Sequence, residues 1–244
     1  MNLQNGIMYD DLINLYFGTL GYCQKDHSSF WNLILIDRTL APKELDEGEK
    51  ELITRNRKPA LYFENQEFLS TWATEKGYKK SNDDVWMFYE SADIDIKKFD
   101  LVKKVTSEDD LNIFLKTFND CYQKDDPQNP YGELGEYLVA AEEAWHKHAK
   151  SNRLEYFLVY KNGQPVAVST LTNHGDIGYI SNVGSLRSVR GEGYGKAATL
   201  FCVQKSRDNG ATTQCLTTEE GNYPNEFYKR IGFAPKFSAL LYSK

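Results

Sequence analysis

Apolar residues in this chain recur in short runs with two spacings, one suited to helices and one to strands, and their alternation predicts a mixed α/β protein. In the first hundred residues, 10–22 set Leu12, Leu15, Tyr16 and Thr19 on one helical face, which predicts a helix. Residues 31–36 form an apolar run suited to a buried strand, and 42–55 read as a charged helix. A strand at 61–64, a helix at 68–76 stopped by Gly77, and a β-rich run at 85–89 complete this half. The stretch 91–100 carries five charged residues and no packable pattern, so it reads as a connector with a domain boundary near 100, dividing the chain into 1–100 and 101–244.

Punctuation is sharper beyond the connector. A helix opens at Ser107-Glu108-Asp109-Asp110 and runs through Phe118, capped by Thr106 or Ser107; a loop covers 125–130, and a second helix covers 134–149. Runs at 154–160 and 165–171 flank Lys161-Asn162-Gly163-Gln164, and an Asn-Gly pair in that position signals a tight hairpin. A strand at 177–183 then leads into VGSLRSVRGEGYGKAA, residues 183–198, followed by a helix with Ala197, Leu200, Phe201 and Gln204 on one face and an Asn209-Gly210 stop. A strand at 212–217, a helix at 223–230, a Gly232-Phe233 turn and a strand at 237–242 end the chain.

Composition narrows the class. Of 244 residues, 41% are hydrophobic and 14% aromatic, enough for a buried core. No apolar run approaches 18 residues, and MNLQNGIMYDD lacks the basic start and apolar core of a signal peptide, so a cytoplasmic protein is expected. Cys23, Cys121, Cys202 and Cys215 are far apart, with no C-x-x-C pair, which argues against a zinc site or a disulfide framework. His146 and His148 lack the i, i+4 spacing of a helical metal pair, and no metal is expected. A net charge of −6 disfavours nonspecific nucleic-acid binding and suits a cationic partner.

The segment 183–198 carries the candidate chemistry. Gly191, Gly193 and Gly195 free the backbone for positive φ and close ligand approach. The helix that follows offers unpaired N–H groups and a positive dipole end, with Arg187 and Arg190 adding charge, so the segment reads as a phosphate cradle. Neither the P-loop spacing nor the dinucleotide G-x-G-x-x-G spacing is present. Arg190-x-x-Gly193-x-Gly195 resembles instead the pyrophosphate loop of the GNAT superfamily of acyl-CoA-dependent N-acyltransferases, and Val183-Gly184-Ser185-Leu186 resembles the strand that this family places beside pantetheine. The order of elements from 101 to 244 matches as well. The resemblance implies a mostly antiparallel mixed sheet flanked by helices, with acetyl-CoA as co-substrate bound through Val183, Ser185, Arg190, Gly191, Gly193, Tyr194, Gly195, Lys196 and Asn222.

Two further features follow. At an offset of 155 residues, Leu61 falls on Leu216, Glu64 on Glu219, Trp72 on Phe227 and Gly77-Tyr78 on Gly232-Phe233, so a strand, helix and turn recur in register. The N-terminal half then reads as a degenerate GNAT-like copy, because residues 30–60 lack the loop motif and Ala73 stands in the place of Tyr228. Tyr228 resembles the tyrosine that many GNAT enzymes direct at the CoA sulfur, and a phenol of pKa about 10 suits protonation of a thiolate of pKa about 8.5. Asn222 lies six residues before it, where the family's asparagine stands seven before.

The resemblance implies direct attack of an amine on the thioester, with a backbone N–H near Val183 or Ser185 bonding the thioester oxygen. Deprotonating a lysine-like amine at pH 7 costs roughly 4.6 kcal/mol, against about 1 for an α-amine. Glu219, His174 and Asp176 are candidate bases, with Glu219 preferred, while Glu133 and Glu136 are candidates for neutralising a cationic acceptor. The expected protein is an acetyltransferase for a small-molecule or peptide amine, monomer or homodimer. The alternatives are a non-catalytic acyl-CoA-binding or interaction protein and a tandem aminoacyl or peptidyl transferase, which would not need a CoA cradle.

Overall fold

The computed structural model describes residues 1–38, 42–129 and 131–244. The elements follow the order β1 (Asp11–Leu15), β2 (Gly18–Tyr22), β3 (Leu33–Ile36), α1 (Pro42–Thr54), β4 (Ala60–Glu64), α2 (Glu67–Glu75) and β5 (Lys79–Tyr89), then β6 (Val102–Lys104), α3 (Glu108–Cys121), α4 (Tyr137–His148), β7 (Leu154–Lys161), β8 (Gln164–His174), β9 (Ile177–Ser185), α5 (Tyr194–Asp208), β10 (Thr213–Glu219), α6 (Tyr223–Arg230) and β11 (Phe233–Ser243). They form two compact units. The first comprises Met1–Trp86, Thr218–Glu220 and Pro235–Lys244, and the second Met87–Thr217 and Gly221–Ala234.

In the first unit the strand order is β1-β2-β3-β4-β11-β5. Strands β3 and β4 are parallel, joined through α1, while β11 pairs antiparallel with β4 from Ala239↔Glu64 to Ser243↔Ala60. One face of this sheet packs Leu20, Ile34, Leu61, Phe63 and Leu240 against Leu45 and Leu52 of α1 and Leu69 and Ala73 of α2.

The helix expected over 10–22 is a β-hairpin instead. Gly18 and Gly21 weaken a helix by about 1 kcal/mol each, and tertiary pairing decides the outcome: Gly18 lies opposite Ile36, so close to β3 that a Cβ there would stand 1.8 Å from the Leu35 carbonyl oxygen. Tyr16, counted on the helical face, is 79% exposed at the hairpin tip. Strands β5 and β11 run to 11 residues each, well beyond the runs 85–89 and 237–242 that their apolar patterns mark.

In the second unit the order is β10-β9-β8-β7-β6, antiparallel except for the parallel β9–β10 pair that α5 connects. Strand β7 is buried on both faces, and its alternation assigns them: Tyr156 stacks on Phe114 of α3 at 4.4 Å, whereas Phe157 meets Phe201 of α5 edge-on at 5.2 Å. Ser107 caps α3, accepting from the Asp110 amide at 3.2 Å. Asn162 and Gly163, with φ +51° and +79°, make the β7–β8 turn, the left-handed pair that such a hairpin requires. The loop after α3 falls where expected, with Pro130 outside the described residues. All four cysteines are buried and unpaired.

Close packing of α5 on β9 depends on Gly178, where a Cβ would meet the Ser206 Oγ at 1.9 Å and its Cβ at 2.6 Å. Gly178→Ala is expected to destabilise the protein by about 1–3 kcal/mol in urea unfolding. An unchanged midpoint would show that α5 is not held at this distance.

Candidate active site

Helix α5 starts where the glycine loop ends. A 3-10 turn at Arg187–Val189 leads the chain off β9, and Gly191 and Gly193 then take φ of +80° and +88°. L side chains avoid this conformation. Gly193 is the N-cap, and the first amide to bond back is that of Ala197, to the Gly193 carbonyl at 3.0 Å. The amides of Tyr194, Gly195 and Lys196 precede it and have no acceptor within the helix, so they and the helix dipole make this end electropositive. The loop face is open. A Cβ built on Gly191 meets nothing within 4 Å, and one on Gly193 meets only the Lys98 Cε at 3.9 Å. These residues fit a phosphate group, because a branched side chain would fill the space that its oxygens need.

Strand β9 and helix α6 meet α5 at Gly195, whose Cβ position lies 3.7 Å from the Ser185 Oγ and 3.9 Å from the Phe227 Cζ. The parallel ladder between β9 and β10 runs only from Thr213↔Ile177 to Cys215↔Tyr179, although β9 continues to Ser185. The two strands therefore part, leaving the β10-facing edge of β9 without a ladder partner over its last turns. A bulge lies in this stretch: Thr170 opposes Ser181 and Val168 opposes Gly184, so Asn182, at φ +52°, and Val183 together face Ser169. Both bulge residues are anchored by phenols. Tyr122 donates to the Val183 carbonyl at 3.0 Å, and Tyr137 donates to the Asn182 Oδ1 at 2.8 Å.

Tyr228 is buried on α6, its ring edge-on to Phe227 and Phe233. Its hydroxyl has no hydrogen-bond partner among the described residues. Burial, reinforced by the neighbouring Tyr131 and Tyr179, pushes the phenol above its ordinary range, so it remains a proton donor at any physiological pH. Asn222 is the N-cap of α6, but its side chain makes no capping bond. Asn225, three residues before Tyr228, is fully buried with its Oδ1 unpartnered.

The two arginines expected to charge the cradle are engaged elsewhere. Arg190 holds Asp126 through two parallel bonds, Nη1 to Oδ1 at 2.6 Å and Nη2 to Oδ2, and Arg187 donates to the Asp125 carbonyl at 2.9 Å. The Asp126 side chain is 1% exposed, and hydrogen bonding from Arg190 holds its carboxyl below the usual range. Lys196 is paired with Asp95 at 2.9 Å. Tyr194 packs its ring in the core cluster with Val159, Val166 and Val189. Neither Asp126 nor Lys98 is signalled by the sequence, since each is one charge among several in a segment without periodicity. Tyr122 is equally unmarked.

Glu219 belongs to the first unit with the end of β10. There it acts electrostatically on Asp84, which accepts from the Tyr62 hydroxyl at 3.0 Å and from the Asn82 amide; Trp86 Nε1 in turn donates to the Tyr62 hydroxyl at 3.0 Å. Among the described residues no group of three or more His, Cys, Asp or Glu could hold a metal, and no helix is long and apolar enough to cross a membrane.

Comparison with known proteins identifies the family and the fold. The family model described as "Acetyltransferase (GNAT) family" matches residues 112–233, half of the chain, and the chain belongs to that family. Among solved structures, a GCN5-related N-acetyltransferase from Kribbella flavida is similar with a TM-score of 0.71 at 19% identity, covering 99% of this chain and 92% of that one. A functionally unknown conserved protein from Staphylococcus epidermidis gives 0.68 at 14% identity, covering 98% and 94%. A tandem GNAT protein from the clavulanic acid biosynthesis pathway gives 0.58 at 10% identity, covering 93% and 78%. At these identities the likeness is one of fold. No curated protein matches the chain.

Desolvation, with the Glu219 charge adding to it, pushes the Asp84 carboxyl up to about 6 despite the opposing hydrogen bonds. The native state therefore keeps a proton that the unfolded chain, near 3.9, releases, and this contribution to stability is lost as pH rises through about 4 to 6. Asp84→Asn is expected to gain up to about 3 kcal/mol on the wild type between pH 4 and 7 in chemical denaturation. A constant difference across that range would show that Asp84 titrates normally.

Proposed function

We propose that this protein transfers an acetyl group from acetyl-CoA to a primary amine, with donor and acceptor held together and the amine attacking the thioester directly. The observation that carries this reading is the junction at Gly195, where the unpaired amides at the start of α5 adjoin the end of a strand that has parted from its neighbour. The amides of Tyr194, Gly195 and Lys196, with the open backbone at Gly191 and Gly193, would hold the pyrophosphate. The free edge of β9 would receive the pantetheine amides as an added strand receives its partner. A backbone N–H near Val183 or Ser185 is the proposed donor to the thioester oxygen. Arg190 serves by holding the loop to Asp126 rather than by meeting the anion itself, and Asn222 is retained as a cofactor contact.

In the reaction the amine nitrogen bonds the acyl carbon, the carbon–sulfur bond breaks, and the sulfur leaves with the electron pair. Tyr228, kept protonated by burial, donates its proton to that sulfur. Glu219, two residues past Thr217 on β10, is proposed to take the proton lost by the acceptor. The N-terminal half is proposed as a degenerate copy of the same domain, since its β4-α2-β5 and parallel β3-α1-β4 sequences repeat β10-α6-β11 and β9-α5-β10. The proposed setting is the cytoplasm, as a monomer or homodimer, in keeping with four buried, unpaired cysteines.

The reading is tested by thiol release from acetyl-CoA across a panel of small amines and peptides. Tyr228→Phe is expected to lower kcat by roughly 100-fold while CoA affinity holds. Binding without turnover, unchanged by that substitution, would favour a non-catalytic acyl-CoA-binding protein. Gly193→Val is expected to abolish CoA binding, because it combines a branched side chain with φ of +88° in the open loop. Wild-type affinity in that variant would contradict the cradle.

A further inference from the structure

The connector 91–101 is fastened along α5 by several independent contacts within the second unit. Asp95 pairs with Lys196 at 2.9 Å, Phe99 meets Phe201 edge-on at 5.3 Å, and Arg207 donates to the Ser91 carbonyl at 3.4 Å. Leu101 packs against the core cluster to which Tyr194 and Ala198 of α5 belong. A charged stretch without periodicity is thereby held to the helix that carries the glycine loop. Within it, Lys98 takes φ of +68°, and among the described residues it is the only residue at positive φ that is neither Gly nor Asn. Such backbone is strained for lysine and persists where surrounding contacts impose it.

The result is a placed cation. The Lys98 Nζ stands 4.5 Å from the centre of the Tyr194 ring, on the first residue of α5, and its Cε is the one atom within 4 Å of the Cβ position of Gly193. Three cations near the loop are matched, Arg190 by Asp126, Lys196 by Asp95 and Lys161 by Glu192 at 2.7 Å, while Arg187, 3.9 Å from Asp126, shares the one carboxylate that Arg190 holds. Lys98 has no carboxylate partner among the described residues. The geometry points to Lys98 as a phosphate-binding residue of the cradle, supplied by the connector to add the charge that Arg190, held by Asp126, does not provide. Its target is the diphosphate group of the CoA nucleotide, because its side chain passes Gly193 and its ammonium lies over the ring of Tyr194, the N-cap and first residue of the helix whose opening amides lack an acceptor. This rests on the acyl-CoA reading of the same loop.

The test is titration calorimetry of the full chain with CoA and with dephospho-CoA, which lacks the 3′-phosphate but keeps the diphosphate. Lys98→Ala is expected to weaken both ligands by about tenfold, and Lys98→Arg to retain most of the affinity. Lys98→Gly separates charge from conformation. Glycine adopts the required φ freely, so that variant is expected to melt no lower than the wild type while losing the same affinity as the alanine variant. Unchanged CoA affinity in the alanine and glycine variants would overturn the assignment of Lys98 alone. A loss confined to CoA would place the contact on the 3′-phosphate and overturn the diphosphate assignment. Failure of the wild type to bind CoA would overturn the acyl-CoA reading, and this one with it.

Discussion

The amides at the start of α5 have no acceptor in their own helix, and much of the second unit is arranged to leave them accessible. A helix end can be closed by a capping side chain, which removes part of its affinity for an anion. Here the N-cap is glycine, which has no side chain to offer. Two left-handed glycines turn the loop outward, the Arg190–Asp126 pair ties its approach to the segment after α3, and β9 ends beside Gly195. The strand contributes by what it omits, since its ladder with β10 stops at Cys215↔Tyr179. An unsatisfied helix end and an unpaired strand edge are both unfavourable in isolation. Together they suit an anionic head followed by an amide-bearing arm.

The first unit repeats these connections, and its sequence over 30–60 lacks the glycine motif. Its parallel β3-α1-β4 crossover and the α2 turn ending at Gly77, with φ +82°, parallel the β9-α5-β10 crossover and the α6 turn ending at Gly232, with φ +109°. Membership in the units does not follow chain order, because residues from Pro235 onward pair in the first unit through β11 and β4. The C-terminal strand thus supplies core to the first unit, with Leu240 and Tyr242 packed among Phe63, Leu61 and Tyr78.

Much of this was legible from residue pattern, and the limits are physical. The Asn162-Gly163 turn, the Ser107 cap and the Gly191-Gly193 loop are local signals, each forced by backbone conformation or by one side chain bonding its own neighbourhood, and each appears where the sequence puts it. Residues 10–22 misled because a helical spacing of apolar residues can also serve two short strands, and only the approach of β3 to Gly18 decides between them. The pairing of Arg190 and the placement of Lys98 are illegible in the sequence for a related reason. Whether a cation faces an anion site depends on which carboxylate reaches it first, and Asp126 lies 64 residues from Arg190 in the chain. Glycine spacing marks a loop; it does not tell which charges remain to serve it.

Amide hydrogen exchange with and without saturating acetyl-CoA tests the central claim most directly, because it reads the N–H groups themselves. The account predicts slowed exchange at 191–196 and along 181–185, with the outer strands of both units unchanged. Exchange at 191–196 that is indifferent to acetyl-CoA, or protection confined to other segments, would contradict it.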